Sequence, residues 1–321
     1  MSTSKPDRNL GVELVRATEA AAIKASAWIG RGDKNAADGA AVEAMRDFLN
    51  TVDFAGTIVI GEGEKDEAPM LANGEAVGNG NGPECDIAVD PVDGTSVTAS
   101  GRAHAISVIA VSDKGSMYNP KDVFYMDKLI TTKAGKGVVS LDMSPGDNVR
   151  ELAKALKKDV SEITVAMIDR PRHQPIMDAV RAAGARTRLF LDGDVAGGVH
   201  AVTGGGGIDL LLGIGGAPEG TISACATKAL DGYMQGRISP LSPQEMKKAI
   251  EAGHDLTRIF EMDDLVASDN TYFVATGVTD GLLLDGVQRR GNYLRTDSII
   301  LRAKSGTIRR VKADYLASRW I

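Results

Sequence analysis

The sequence predicts an α/β protein built from two lobes, and three observations lead to this fold class. The chain has 321 residues, whereas a single domain usually takes about 100 to 200. Short apolar strands in the first half run directly into acidic, glycine-rich turns. From about residue 147, helices and strands alternate, which is typical of an α/β layer. The 37 glycines agree with many tight turns.

The first lobe opens with two helices. Apolar residues recur at helical spacing from Leu10 to Ala25, and this pattern predicts a helix that has ended by Gly30. A second helix is expected to begin near Asp38, because Val42 and the apolar residues that follow it share one helical face.

Strands that end in acids follow these helices. The run 57–60 reads as a short buried strand that leads into Gly61-Glu62-Gly63-Glu64, and the run 86–89 reads as a strand that leads to Asp90. A further apolar strand is expected at 106–111. Two strands therefore deliver carboxylates to turns, where such side chains can converge.

The second lobe is predicted to begin near residue 156. Residues 1–155 would then form an N-terminal metal-binding lobe, and residues 156–321 a C-terminal α/β substrate-binding lobe. The expected elements are a helix at 148–157, a strand at 163–168, a helix at 175–183, a strand at 186–191, a helix at 194–202, a strand at 208–212 and a helix after Glu219. Strand-like runs return at 272–278 and at 298–311, the second interrupted by a turn at Ser305-Gly306.

Charge and composition argue against several classes of function. Lys+Arg 37 against Asp+Glu 43 gives a net charge of −6, which disfavours binding to a nucleic-acid backbone or an anionic membrane. No signal-peptide pattern and no run of about 18 apolar residues is present. Cys85 and Cys225 form neither a metal-binding pair nor a disulfide framework. We therefore expect a cytoplasmic protein that acts on a small molecule.

Five acids are candidate metal ligands. They lie beside glycine or proline, or at the end of a predicted strand or the start of a helix: Asp38, Glu62, Asp90, Asp93 and Glu219. Taken singly, Asp38 could be a helix N-cap and Glu219 a solvated surface residue. The hexapeptide Asp90-Pro91-Val92-Asp93-Gly94-Thr95 is more specific, because two acids and a hydroxyl on one turn can face one ion. Carboxylate sites favour Mg²⁺ or Mn²⁺, so the pattern predicts a metal-dependent phosphatase.

This hexapeptide resembles the D-P-[IL]-[DE]-G-[ST] signature of the lithium-sensitive phosphatase superfamily, which includes inositol monophosphatases and fructose bisphosphatases. Further motifs narrow the resemblance to class II fructose-1,6-bisphosphatases of the GlpX type. They are the segments 30–35, 58–64, 66–70, Arg170-Pro171-Arg172-His173, Asp192-Gly193-Asp194 and 215–220. The similarity covers about residues 10 to 315.

The resemblance implies a layered αβαβα sandwich with the site in a cleft between the lobes. It implies that Asp38, Glu62, Asp90, Asp93 and Glu219 surround Mn²⁺ or Mg²⁺, and that Thr95, Lys34 and Asp66 carry the chemistry. Lysine can neutralise phosphoryl charge, and a carboxylate can accept a proton. Whether Thr95 attacks phosphorus or orients a metal-bound water stays open.

The resemblance also implies which residues bind the sugar bisphosphate: Asp93, Gly94, Thr95, Tyr125, Arg170, Pro171, Arg172, Asp192, Gly193, Asp194 and Gly216. Arginines can grip phosphates through two hydrogen bonds, while acids and backbone groups bind hydroxyls. Some relatives have Lys in place of Arg170 and Glu in place of Asp93, which leaves the required charge unchanged. His173 is expected to have no catalytic role, because the four histidines form no metal-binding pattern.

The expected reaction is hydrolysis of D-fructose 1,6-bisphosphate to D-fructose 6-phosphate and phosphate, a step of gluconeogenesis. Sedoheptulose 1,7-bisphosphate stays open as an additional substrate. Two alternatives are an inositol-phosphate or nucleotide-bisphosphate phosphatase and a catalytically silent sugar-phosphate sensor. A homodimer or homotetramer is expected from the resemblance alone.

Overall fold

The computed structural model describes residues 10–61, 71–120, 123–203 and 207–320. The strands in these ranges are β1 (Ala55–Ile60), β2 (Ala76–Val77), β3 (Glu84–Asp93), β4 (Ile106–Asp113), β5 (Tyr125–Thr131), β6 (Thr164–Ile168), β7 (Arg186–Phe190), β8 (Leu210–Gly216), β9 (Tyr233–Ile238), β10 (Phe260–Glu261), β11 (Tyr272–Gly277), β12 (Gln288–Arg290), β13 (Tyr293–Arg302) and β14 (Thr307–Leu316).

The α-helices in the same ranges are α1 (Gly11–Ser26), α2 (Lys34–Leu49), α3 (Thr95–Ala99), α4 (Pro145–Leu156), α5 (Gln174–Ala182), α6 (Val195–Thr203), α7 (Ala217–Ala229), α8 (Pro243–Glu251) and α9 (Met262–Leu265). Short 3-10 turns lie at 133–135, 160–162, 171–173, 303–305 and 317–319. None of the helices in the described ranges is long and apolar enough to cross a membrane.

The strands form two mixed sheets. The first sheet has the order β12-β13-β11-β4-β3-β1-β2, with β14 on the other edge of β13, and the second has the order β10-β9-β5-β8-β6-β7. In the first sheet β1 runs parallel to β3, whereas β4 runs antiparallel to both β3 and β11. In the second, β6 runs parallel to β7 and β8. Strands β6, β7 and β8 belong to the segment in which helices and strands are predicted to alternate along the sequence.

Three apolar clusters hold five layers together. The first cluster packs α1 and α2 against one face of the first sheet through residues such as Leu14, Met45 and Ile87. The second fills the space between the two sheets, where α6 and α7 lie. The third packs α4 and α5 against the outer face of the second sheet. The predicted layered αβαβα sandwich is therefore confirmed.

Alternation along single strands assigns each face to its layer. On β8, Leu210 and Leu212 belong to the outer cluster, while Leu211, which points the other way, belongs to the central cluster. The chain enters the second sheet at Tyr125 and returns to the first at Tyr272. A lobe boundary near residue 155 stays a prediction. The chain changes from one sheet to the other at different positions, Tyr125 and Tyr272.

Several described elements differ from the sequence-based expectation, among them strands β5 and β9 and the start of helix α2. Neither β5 nor β9 stands out as an apolar run, because β5 carries Asp127 and Lys128 and β9 carries Gln235 and Gly236. Helix α2 begins at Lys34 and not near Asp38. Its N-cap is Asp33, whose Oδ1 accepts the Ala36 N–H at 2.9 Å, a capping contact that a search for apolar periodicity does not detect.

Candidate active site

The hexapeptide 90–95 lies where β3 ends and α3 begins. The register between β3 and β4 shifts between Asp90, which is paired with Val108, and Asp93, which is paired with Ile106. This shift inserts one extra residue on β3, a β-bulge that redirects the strand end. The Val92 N–H donates to Asp90 Oδ1 at 3.0 Å, which closes the turn. Two acids are thus presented at one corner of the first sheet.

Gly94 and Thr95 complete this corner. Gly94 adopts φ 103° and ψ 44° at the N-cap of α3, a left-handed conformation that disfavours side chains. A Cβ at this position would also lie 2.9 Å from Val97 Cγ2. Thr95 is the first residue of α3 and is half-buried. The glycine therefore lets the chain turn sharply enough to bring Thr95 to the cleft that Asp90 and Asp93 also line.

Helix α2 contributes two more predicted residues. Asp38 is 6% exposed and lines the same cleft as Asp90 and Asp93. Lys34 is exposed in the first turn of α2, four residues before Asp38, so the two side chains share one face of the helix. Lys34 is not among the residues that line the cleft.

The basic part of the cleft comes from the second sheet. Arg172 donates from Nε and Nη2 to Ile214 O at 3.2 and 2.8 Å, and its Cζ lies 5.4 Å from the centroid of the Tyr125 ring. Arg170 donates to Leu191 O at 2.6 Å. Pro171 is exposed at the start of the 3-10 turn between the two arginines and does not line the cleft. Backbone carbonyls thus orient both guanidinium groups.

The loop after β7 joins the two parts of the site. Asp192 accepts the Ser96 N–H on Oδ2 at 3.2 Å and is 3.4 Å from Arg170 Nη2 through Oδ1. The Val195 N–H donates to Asp93 Oδ2 at 3.3 Å. A Cβ at Gly193 would lie 2.9 Å from Asp93 Oδ1. The Asp192-Gly193-Asp194 motif therefore packs directly against the hexapeptide.

Glu219 and Gly216 lie where β8 passes into α7. Glu219 is in the first turn of α7, and its Oε2 is buried without a hydrogen-bond partner among the described residues. A Cβ on Gly216 would collide with the Glu219 carboxylate. Since Gly216 has an ordinary φ of −62°, lack of space rather than backbone conformation favours glycine at this position.

Buried carboxylates repel one another in this cluster. Burial first, and then Asp194, Glu219 and Asp192, raise the pKa of Asp93 well above its ordinary value, while Lys128 opposes the shift. Burial also raises the pKa of Glu219, and Lys128 again opposes it. Additional positive charge in the cluster would favour the ionised forms of both acids.

One cleft of about 560 Å³ collects most of the predicted site. Thirteen of the predicted residues line it: Asp38, Asp90, Asp93, Gly94, Thr95, Tyr125, Arg170, Arg172, Asp192, Gly193, Asp194, Gly216 and Glu219. Lys34 and Pro171 do not line it. The predicted ligand Glu62 and the predicted catalytic residue Asp66 lie outside the described residues.

Comparison with known proteins identifies the family of the chain. A family model described as bacterial fructose-1,6-bisphosphatase, glpX-encoded, matches residues 8–315. The chain belongs to this family. It is 45% identical over 325 residues to fructose-1,6-bisphosphatase 1 class 2 of Escherichia coli (strain K12), covering 97% of this chain and 96% of that protein. Class 2 fructose-1,6-bisphosphatases of Escherichia coli O6:H1 and of Shigella flexneri match with the same identity and coverage. The family predicted from the sequence motifs is confirmed.

Fructose-1,6-bisphosphatases depend on metal ions in general, and the acids of this cleft fit a divalent cation by their chemistry. Asp38, Asp90, Asp93 and Glu219 offer only carboxylate oxygens, which suit Mg²⁺ or Mn²⁺. The buried Glu219 Oε2 without a partner among the described residues is an acceptor that a cation would satisfy. However, no three His, Cys, Asp or Glu side chains in the described ranges are close enough together to form a complete metal site, and Glu62 lies outside those ranges.

The cleft of this fructose-1,6-bisphosphatase family member also contains residues that were not predicted from the sequence. Phe124, 64% exposed, and Glu245 of α8 line it. Lys128 is fully buried beside it and forms an ion pair with Asp194. A strand reading of 125–131 would have placed Lys128 on the buried face with Met126 and Ile130, and a buried lysine signals a functional or paired role.

His173 has a structural role in the turn that follows β6. Its Nε2 accepts the Ile214 N–H at 2.8 Å, so Nδ1 carries the proton and donates to Ile168 O at 2.7 Å. Burial lowers the pKa of His173. The neutral ring thus joins β8 to the end of β6 and fixes the turn that carries Arg170 and Arg172.

Proposed function

We propose that the chain hydrolyses D-fructose 1,6-bisphosphate to D-fructose 6-phosphate and phosphate, a step of gluconeogenesis. The observation that carries the proposal is a single cleft to which the first sheet contributes acids and a hydroxyl and the second contributes two arginines and a tyrosine. Such a cleft offers different chemistry to the two phosphates of one substrate. The family and its class 2 relatives carry this activity in their names.

The phosphate that leaves is assigned to the hexapeptide. Asp38, Glu62, Asp90, Asp93 and Glu219 would hold Mg²⁺ or Mn²⁺, which supply charge neutralisation and activate the attacking oxygen. Thr95, at the first position of α3, would place its hydroxyl beside the scissile phosphate. Thr95 acts either as the nucleophile or as the group that orients the attacking water.

Lys34 and Asp66 are assigned to charge neutralisation and proton transfer. Lys34 shares a helical face with Asp38, and its exposed ammonium group can move toward a bound phosphoryl group. Asp66 would accept a proton from water or from the threonine hydroxyl.

The phosphate that remains is assigned to Arg170 and Arg172. Both guanidinium groups are oriented by carbonyl oxygens, and Arg172 in addition by the Tyr125 ring. Fixed guanidinium groups can bind phosphate through two parallel hydrogen bonds. Asp192, Asp194 and the backbone of Gly193 and Gly216 would bind the sugar between the two phosphates. Pro171 fixes the backbone between the arginines and would take part through that turn.

Phosphate release from a substrate panel tests the proposal. The panel contains fructose 1,6-bisphosphate, sedoheptulose 1,7-bisphosphate, an inositol monophosphate and a nucleotide bisphosphate, each with Mg²⁺, Mn²⁺ or a chelator. We expect metal-dependent turnover with fructose 1,6-bisphosphate. Preference for the inositol or nucleotide substrate would refute the assignment of fructose 1,6-bisphosphate as the substrate. No turnover with either metal would favour a catalytically silent sugar-phosphate sensor.

A pair of variants tests the proposed centre. Thr95→Ala should lose most activity and Thr95→Ser should regain part of it, because serine restores the hydroxyl. Ser96→Ala is the matched control: Ser96 is the next residue of the same helix, its side chain is exposed, and its backbone N–H to Asp192 is preserved. Full activity in Thr95→Ala would refute the assignment.

We also propose a cytoplasmic location, which the two free cysteines fit, and an assembly of two or four subunits, which rests on the family resemblance alone. Light scattering on the purified chain would measure the assembly. A monomer at working concentration would contradict it.

A further inference from the structure

Lys128 is a fully buried cation inside the acidic cleft. It lies on β5, its side chain is 0% exposed, and its ammonium forms an ion pair with Asp194 Oδ2. The same nitrogen donates to Gly216 O at 3.1 Å. Removing a lysine charge from water is costly unless the charge is paired and hydrogen-bonded, and here both partners belong to the cleft lining.

The surrounding backbone leaves little room for this ammonium group to move. A Cβ at Gly215 would lie 2.8 Å from Lys128 Nζ and would collide with the Asp194 carboxylate. Gly215 therefore makes space for the lysine ammonium and its carboxylate partner. The ion pair with Asp194 and the hydrogen bond to Gly216 O hold the ammonium in place.

Asp194 uses one oxygen for this lysine and has a second one available. Asp194 is 5% exposed, and its Oδ1 is buried without a hydrogen-bond partner among the described residues. The residue lines the cleft. A buried carboxylate oxygen in this position needs a donor, and a substrate hydroxyl entering the cleft can supply one.

We propose that Lys128 is a positioning residue that fixes Asp194 and the Gly216 carbonyl, so that Asp194 Oδ1 accepts a hydroxyl of the substrate sugar. This inference rests on the proposed function, since it requires a sugar phosphate in the cleft. Lys128 acts through Asp194 and does not contact the reacting phosphate. Its loss should therefore weaken substrate binding more than it slows turnover.

The ordinary alternative is a buried ion pair that only stabilises the fold. Lys158 provides the matched control, because it forms a 2.5 Å ion pair with Asp209, whose side chain is 6% exposed, and neither residue lines the cleft. Lys158→Met should lower stability and leave KM and kcat unchanged. Methionine approximates the lysine stem in both variants.

Steady-state kinetics at saturating metal separate these readings. We expect Lys128→Met to raise KM for fructose 1,6-bisphosphate roughly tenfold or more, the size expected when one hydrogen bond to a charged group is lost, with kcat changed less than about threefold. An unchanged KM in folded Lys128→Met would overturn the proposal. An equal fall in kcat for Lys128→Met and Lys158→Met, with KM unchanged in both, would also overturn it.

A double variant covers the case in which Lys128→Met does not fold. Lys128→Met/Asp194→Asn removes both charges, which is less disruptive than leaving one buried charge without its partner. If Lys128 acts through Asp194, the double variant and Asp194→Asn should agree in kcat/KM within about twofold. A kcat/KM of the double variant clearly below that of Asp194→Asn would overturn the proposal. A wild type without activity on fructose 1,6-bisphosphate would refute the proposed function instead.

Discussion

Arg172→Lys tests the role assigned to the basic part of the cleft while keeping its charge. In the structure, Nε and Nη2 of Arg172 both donate to Ile214 O, which fixes the plane of the guanidinium group. The remaining N–H groups can then meet a phosphate in a fixed orientation. A lysine at this position offers one mobile ammonium and loses both the fixed plane and the stacking on Tyr125.

The expected size follows from the hydrogen bonds at stake. A hydrogen bond to a charged group contributes about 1.5–3 kcal/mol, and replacing a two-point contact with a single one loses about one such bond. Since 1.4 kcal/mol corresponds to a factor of ten, kcat/KM for fructose 1,6-bisphosphate should fall roughly 10- to 100-fold. The lower end is expected, because the guanidinium group is only partly buried and solvent screens its interactions.

Initial rates with two substrates give the decisive comparison. With fructose 1,6-bisphosphate the loss in Arg172→Lys should fall mainly on KM. With fructose 1-phosphate, which lacks the second phosphate, wild type and variant should agree within about twofold. Arg186→Lys is the matched control, because Arg186 also donates to a backbone carbonyl, Glu162 O at 2.7 Å, but does not line the cleft. Equal losses with both substrates would refute the assignment of Arg172 to the second phosphate.

Three further predictions follow from the same structure. Gly216→Ala should displace the Glu219 carboxylate and raise the Mn²⁺ concentration for half-maximal activity roughly tenfold. Gly146→Ala is the control, because its new Cβ would meet its nearest atom at an ordinary 3.5 Å. An unchanged Mn²⁺ requirement in Gly216→Ala would contradict the steric reasoning. Burial raises the pKa of Glu19 above 4.5, so the folded chain keeps this proton to higher pH than the unfolded chain. The stability of wild type relative to Glu19→Gln should therefore fall as the pH rises from about 4.5 through the pKa of the folded state. Urea midpoints of both proteins from pH 4 to 8 measure this, and parallel curves would argue against it. Removal of divalent metal by a chelator should abolish turnover and excess Mn²⁺ or Mg²⁺ should restore it; turnover that persists in chelator would contradict a metal role.

The parts of the fold that the sequence predicts are those that depend on local pattern. Apolar runs mark β1, β3 and β4, and helix–strand alternation marks β6, β7 and β8 together with the helices between them. Strand β5 is not recognisable in the sequence because Lys128 occupies a core-facing position. The ion pair with Asp194 and the hydrogen bond to Gly216 O, both distant in the chain, make that position acceptable.

The site, like the fold, is predictable only where it depends on local sequence pattern. Motifs of a few residues indicate which side chains are candidates, since Asp90, Asp93 and Thr95 share one turn and line one cleft. How the second sheet meets this turn depends on contacts between distant segments, such as the Ser96 N–H to Asp192 and the Val195 N–H to Asp93. No local pattern encodes those contacts, so the relation between the acids and the arginines comes from the three-dimensional structure.

The proposed function requires that the 1-phosphate of D-fructose 1,6-bisphosphate is cleaved and the 6-phosphate is kept. Phosphorus NMR during turnover of fructose 1,6-bisphosphate with Mn²⁺-activated enzyme, followed by removal of the metal before each spectrum, identifies the product directly. We expect loss of the 1-phosphate resonance, with D-fructose 6-phosphate and inorganic phosphate as the only products. Accumulation of fructose 1-phosphate would contradict it.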